Sequence, residues 1–347
     1  MTDAYRALAL QTTCRAINAC STPEDAAAAV ADNIDRVGRQ IRASKAFIGA
    51  DLKLVVLPEY FATSYPLGDT IPGWAAKGCF DMHGAEYERL GRIAQDNGVY
   101  LCANAYERDP HFPGLYFQSS VILDDSGNQI LRYRRLISLY APSPHDVWDR
   151  YLDAYGIDGV FPVAHTPLGR LACIASEEIL YPEIARALGL RGAEVILHST
   201  SEVGSPELTP KDIAKRARAI ENMAYVVSAN TAGISGVDIP LGSADGMSKI
   251  VDDQGRVLAA AAAGESMAAY ADLDIAGLRR RRLRPGMGHV LSRLPQAAIS
   301  AGLGATALKP NALLDGDTLK IPQRADFAAR QKATIEALLG AGVLGHD

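Results

Sequence analysis

Short apolar runs alternate with longer amphipathic ones along this chain, in a strand–helix–strand rhythm. ALALQT at 7–12 reads as a strand. Residues 23–45 open on Pro23-Glu24-Asp25 and then space their apolar side chains by three and four, which predicts a helix. LKLVVLP at 52–58 is a buried strand that stops at Glu59, and 63–74 is a loop. Residues 84–98 form a helix whose Asn97-Gly98 end suits a left-handed cap. VYLCANAYER (99–108) and YFQSSVILDDSG (116–127) are strands, the second turned by Asp125-Ser126-Gly127. ILRYRRLISLY (130–140) is extended and basic, and an irregular stretch at 141–159 has the length of a functional or interfacial loop.

The sharpest feature comes next. GRLACIASEEILYPE (169–183) reads as a buried strand, Leu171 to Ala175, ending abruptly at Ser176-Glu177-Glu178 before a turn and a helix that closes on Gly192. AEVILHSTS (193–201) is a strand, 210–224 a helix, and 225–233, 248–261 and 267–275 are strands. Beyond Pro285 the periodicity dissolves into a meandering tail with one closing helix at 324–340. No repeat, low-complexity tract or linker divides the chain. It therefore reads as one domain at 1–285 with a C-terminal extension at 286–347, which is expected to make an oligomer contact.

Composition narrows the partners. With 48% hydrophobic and 22% charged residues, the chain can bury a large core. A net charge of −5 and a pI near 5.8 count against a nucleic acid or an anionic membrane. No apolar run approaches the roughly 18 residues of a membrane span. The start, MTDAYRALALQTT, lacks the basic region of a secretory signal. The five cysteines (14, 20, 79, 102, 173) show no paired spacing, so a reduced cytoplasm fits best. No HxH, HExxH or CxxC spacing supports a metal, the glycines form no phosphate loop, and no cofactor is expected.

Candidate chemistry sits where strands stop, because in open α/β folds reactive groups gather at the carboxyl ends of strands. Three such ends stand out: Leu57-Pro58-Glu59-Tyr60, Tyr133-Arg134-Arg135 and Ser176-Glu177-Glu178. Tyr60, Glu177, Glu178, His145 and His198 are candidate substrate contacts beside them. His145, in SPHDVWD, reads as pocket wall or interface, and His198 as a hydrogen-bonded core residue near the mouth rather than a base. The run Arg279 to Arg282 reads as a solvated or subunit-contact face.

These motifs, with Pro182-Glu183, the RGAE turn, Arg218-Ala219-Ile220-Glu221-Asn222, Ala229-Asn230 and the hairpin from Ser248 to Gly255, resemble the nitrilase superfamily of carbon–nitrogen hydrolases. The resemblance covers roughly residues 5–285, in order. It implies a four-layer αββα sandwich, a Glu-Lys-Cys triad and a small amide, carbamoyl compound or nitrile as substrate. It also implies a homodimer formed through the helix after Ser176. Two positions depart from the pattern: the frame places Ser176 at the family's cysteine and Arg135 at its lysine, leaving Glu59 alone retained. Cys173 lies three residues upstream, where strand alternation turns it to the opposite face and into the core. On this reading Glu59 is the base, Arg135 the oxyanion or substrate anchor and Ser176 the nucleophile. A catalytically silent ligand-binding or subunit relative is the alternative. So is a serine introduced for a cysteine to trap substrate, although trapping needs only one change and does not account for Arg135.

Overall fold

Alternation along each strand sorts its side chains into two faces, and in this protein the two faces enter different layers. The computed structural model describes residues 4–203, 205, 207–244, 246–303 and 308–344. Leu8, Val55, Leu57, Leu101 and Leu123 meet Val30, Ile34, Val37 and Ile41 of the helix Pro23–Ile48, and Leu90 and Ala94 of Ala85–Asn97. Their strand neighbours Ala7, Ala9, Leu54, Val56, Cys102 and Ile122 point the other way. There they meet Leu171, Cys173, Val195, Leu197 and Val227 of a second sheet. The far face of that sheet, with Ala172, Ile174, Ile196 and Val226, lies under the helices Pro182–Leu190 and Pro210–Asn222. The order helix, sheet, sheet, helix is the expected αββα sandwich.

The first sheet runs Tyr270–Leu273, Tyr5–Ala9, Leu52–Val56, Tyr100–Arg108, Tyr116–Leu123 and Gln129–Arg134, with Cys79–Asp81 also paired to Tyr100–Arg108. The second runs Val257–Ala260, Lys249–Val251, Tyr225–Asn230, Val195–Thr200, Gly169–Ala175 and Ala164–Thr166. The central strands of each sheet are parallel, so their carboxyl ends emerge on one side. Ser199 Oγ donates to the Leu57 carbonyl at 2.8 Å, and the Glu59 N–H points to the Thr200 carbonyl at 3.4 Å. These bonds tie the two sheets together at that side.

Three expectations need correction. Residues 141–159 are not irregular: a 3-10 turn at Pro144–Val147 leads into the helix Trp148–Val160. Its periodicity is blurred by Gly156, which breaks the helix with φ at 61°. The loop predicted at 63–74 gives way at Ile71 to a short helix, Ile71–Lys77, capped by the Thr70 hydroxyl. The arginine run is not simply a solvated face. Arg279 pairs with Glu194, Arg281 with Asp253, and Arg282 donates to the carbonyls of Ala193, Asn222 and Met223. The tail beyond Pro285 folds back on its own chain. Leu313 and Phe327 are buried, the Asn311 N–H donates to the His145 carbonyl at 3.0 Å, and Arg330 pairs with Asp146. Among the described residues no helix is long and apolar enough to cross a membrane.

Candidate active site

Glu59 follows the strand Leu52–Val56 by three residues and is buried where the two sheets join. Two strands of the first sheet hold its carboxylate. Gln118 Nε2 donates to Glu59 Oε1 at 2.8 Å and to Asn104 Oδ1 at 3.1 Å, and Asn104 Oδ1 also accepts from the Tyr60 N–H at 3.2 Å. Arg135 Nη1 reaches Glu59 Oε1 at 3.0 Å and also donates to Gln118 Oε1. Arg135 is fixed because its own N–H continues the sheet by donating to the Gln118 carbonyl at 2.9 Å. Its Nε donates to the Ile137 carbonyl at 2.6 Å and its Nη2 pairs with Glu177.

These neighbours set the charges. Burial pushes the Glu59 carboxyl above its ordinary value, and the cations Arg135 and Lys211, with the Gln118 bond, hold it back. Burial alone would lower the Arg135 guanidinium, but Glu59, then Glu177 and Glu178, outweigh it and keep it firmly charged. The carboxyl gains basicity and the guanidinium cannot give up its proton.

Ser176 begins the turn at the end of the strand Gly169–Ala175 and carries φ of 52°, a left-handed backbone unusual for a serine. Glu178 holds this turn from beneath. Its carboxylate accepts from the Ala175 N–H at 3.1 Å, the Leu136 N–H at 2.6 Å, and the Tyr133 hydroxyl at 2.8 Å. His198 supports it from the next strand. Nε2 donates to the Ser176 carbonyl at 2.9 Å, so in the neutral ring Nδ1 accepts from the Ser228 hydroxyl at 2.9 Å. Burial, with Lys215 nearby, drives the His198 pKa well down, which keeps that ring neutral. Tyr60, at the opposing strand end, also has positive φ, at 36°. Strained backbone of this kind concentrates at sites where side-chain placement matters more than stability.

Glu59, Tyr60, Arg135, Ser176 and Glu177 line one cavity of about 500 Å³. The other three candidates do not. Glu178 turns its carboxylate inward to the backbone, and His198 is wholly buried below Ser176. His145 is half-buried beside Trp148, with Asp146 committed to the Ser143 N–H and to Arg330. Cys173 faces Cys102 between the sheets, sulfur to sulfur at 3.8 Å, and burial holds its thiol protonated.

Sequence reading missed Asn104, Gln118, Lys211 and Arg324. The first two look like ordinary strand residues, and only cross-strand pairing places them under Glu59. Lys211 had a legible signal: Thr209-Pro210 starts a helix just after the strand Val195–Thr200, and Lys211 Nζ donates to Thr200 Oγ1 at 3.3 Å. Arg324 lies far away in sequence and no local pattern marks it. Among the described residues no group of three or more His, Cys, Asp or Glu is placed to hold a metal.

The chain is 30% identical over 204 residues to the "Hydrolase in pqqF 5'region" of Pseudomonas protegens, covering 59% of this chain and 65% of that protein. It is 27% identical over 189 residues to the formamidase of Bacillus thuringiensis, covering 54% and 52% respectively. The chain thus spans between half and two thirds of the length of these relatives. Its fold matches the crystal structure of a carbon-nitrogen hydrolase from Helicobacter pylori G27 with a TM-score of 0.64. That match has 21% identity and covers 87% of this chain and 99% of that one. The family profile for carbon-nitrogen hydrolases matches residues 15–283, including all three strand ends, and this chain belongs to that family.

Proposed function

We propose that this protein hydrolyses a non-peptide carbon–nitrogen bond in a small amide, carbamoyl compound or nitrile, with Ser176 and Arg135 standing where the family has cysteine and lysine. One observation carries the reading: Glu59, Arg135 and Ser176 line a single cavity at the shared carboxyl edge of two sheets. For an amide, Ser176 Oγ attacks the carbonyl carbon as its proton passes to the Glu59 carboxylate. The tetrahedral intermediate then expels ammonia or an amine, protonated by Glu59, and leaves an ester on Ser176. Water attacks that ester with Glu59 again as base, releasing the acid and restoring the serine. Arg135 supplies the fixed positive charge that balances the oxyanion. A serine hydroxyl needs a stronger base than a thiol, and the raised Glu59 pKa moves in that direction. A small-molecule substrate, no cofactor, a homodimer and a cytoplasmic setting belong to the same proposal. So does a boundary near Pro285 between the hydrolase-like body and the C-terminal extension.

A second reading has its own observation. Arg135 is bonded to Glu59, Gln118, Ile137 and Glu177 at once, so the base is already paired with a cation. That would suit a silent relative that binds a ligand without turning it over. Ammonia release across a panel of small amides, carbamoyl compounds and nitriles separates the two. Wild type should turn over, Ser176→Ala should lower kcat by about a thousandfold or more, and intact mass should reveal an acyl adduct on Ser176. An inert wild type that gains hydrolysis from Ser176→Cys with Arg135→Lys would establish the silent reading instead.

A further inference from the structure

The cavity carries more positive charge than the reaction uses. Its walls bear two carboxylates, Glu59 and Glu177, against three cations, Arg135, Lys211 and Arg324. Arg135 is bonded to both carboxylates. Lys211 leans on the Thr200 hydroxyl beside Glu59, within the reaction centre. Arg324 is different. It comes from the C-terminal extension, its guanidinium lies over the Tyr140 ring at 3.9 Å, and it is exposed. It opens the helix Arg324–Gly340, where the helix dipole disfavours a cation, so helix stability does not account for it. The acid of that turn, Asp326, accepts from the Gln323 N–H at 2.7 Å.

Arg324 also stands at a junction. With Pro66 and Tyr140 it lines both the reaction cavity and an adjoining one of about 590 Å³. The walls of that second space include Ile71, Pro72, Tyr116, Ile321 and Phe327. Its acid, Asp69, is paired with Lys77 at 3.2 Å. A guanidinium over an aromatic ring can still offer two parallel N–H donors to a planar anion.

We propose that Arg324 selects the substrate: the bond broken at Ser176 belongs to an amide that carries a carboxylate on an apolar spacer, and Arg324 binds that carboxylate. This rests on the hydrolase reading above and names the class of compound that site takes. The extension thereby completes the substrate site of its own chain. A net positive cavity also steers such an anion inward, an effect that salt weakens.

The test pairs the mono-amides of four- to six-carbon dicarboxylic acids with the neutral alkanoamides of matching length. Calorimetric binding is measured on full-length Ser176→Ala protein, and turnover on wild type. The anionic member of each pair should bind at least tenfold more tightly, with the preference shrinking as sodium chloride is raised. Arg324→Gln should erase most of the preference and Arg324→Lys should keep part of it; binding of the neutral amide reports that each variant is folded. Equal affinity for both members, or a preference that survives Arg324→Gln, overturns the inference while turnover by wild type would leave the hydrolase reading intact. Arg324-dependent binding of the anionic amides without turnover upholds Arg324 as the carboxylate anchor and overturns both the hydrolase reading and the claim that such an amide is cleaved.

Discussion

At the scale of single residues, Glu178 shows why neighbouring carboxylates cannot be assigned from spacing. Glu177 and Glu178 are adjacent in sequence, yet one lines the cavity and the other braces the turn below it. Burial lifts the Glu178 pKa from 4.5 to about 7, against the pull of Arg135, Tyr133 and the backbone donors. A carboxyl raised in the folded state holds its proton after the unfolded chain has lost it. Its contribution is therefore complete below pH 4.5 and is lost as pH rises to about 7. Stability should fall across that window by up to about 3 kcal/mol on this residue's account. Urea unfolding at pH 5 and pH 8 measures it. Glu178→Gln should flatten the slope, and an unchanged slope would assign it to other groups. Glu59 lay in plain view in the sequence because a strand ending in Pro-Glu is a local signal. Gln118 and Asn104 did not, because what makes them relevant is a partner on another strand.

At the scale of elements, the strand-to-turn corner at Ser176 concentrates the strain. A left-handed serine costs on the order of 1 kcal/mol relative to glycine, which has no Cβ to clash. Ser176→Gly should therefore raise stability by about 1 kcal/mol in urea unfolding while abolishing turnover. A loss of stability would mean that the serine side chain packs well enough to outweigh the strain. The strand itself was legible as a short apolar run from Leu171 to Ala175; in the fold Leu171 and Cys173 face the inter-sheet core while Ala172 and Ile174 face the helix layer. The helix Trp148–Val160 was not legible. Aspartates, glycines and aromatics interrupt its apolar spacing, and its stability comes from Tyr151 and Val160 packing on Phe112 and Phe117.

For the whole molecule, the outer helix layer leaves apolar side chains uncovered. Leu180, Tyr181, Ile213 and Ile220 are 40–57% exposed around the helices that cover the second sheet. A self-associating face is the expected use, so light scattering at micromolar concentration should give a dimer. Ile213→Asp with Ile220→Asp should shift it to monomer, and a monomeric wild type would refute this. The sequence by itself determined most of the strands and helices in their order and the three strand ends, and through its motifs the αββα layering. The elements and strand ends follow from period-two and period-3.6 patterns and from residues within a few positions of each other, whereas the layering is what the resemblance of the motifs to the carbon–nitrogen hydrolases implied. Tertiary structure alone decided that Gln118 bridges Glu59 and Arg135, that Glu178 and His198 lie beneath the cavity, and that Arg324 reaches its wall from 265 residues beyond Glu59. The physical reason is that hydrophobic periodicity is local, whereas charge balance in a cavity depends on side chains that meet only after the sheets have closed against each other.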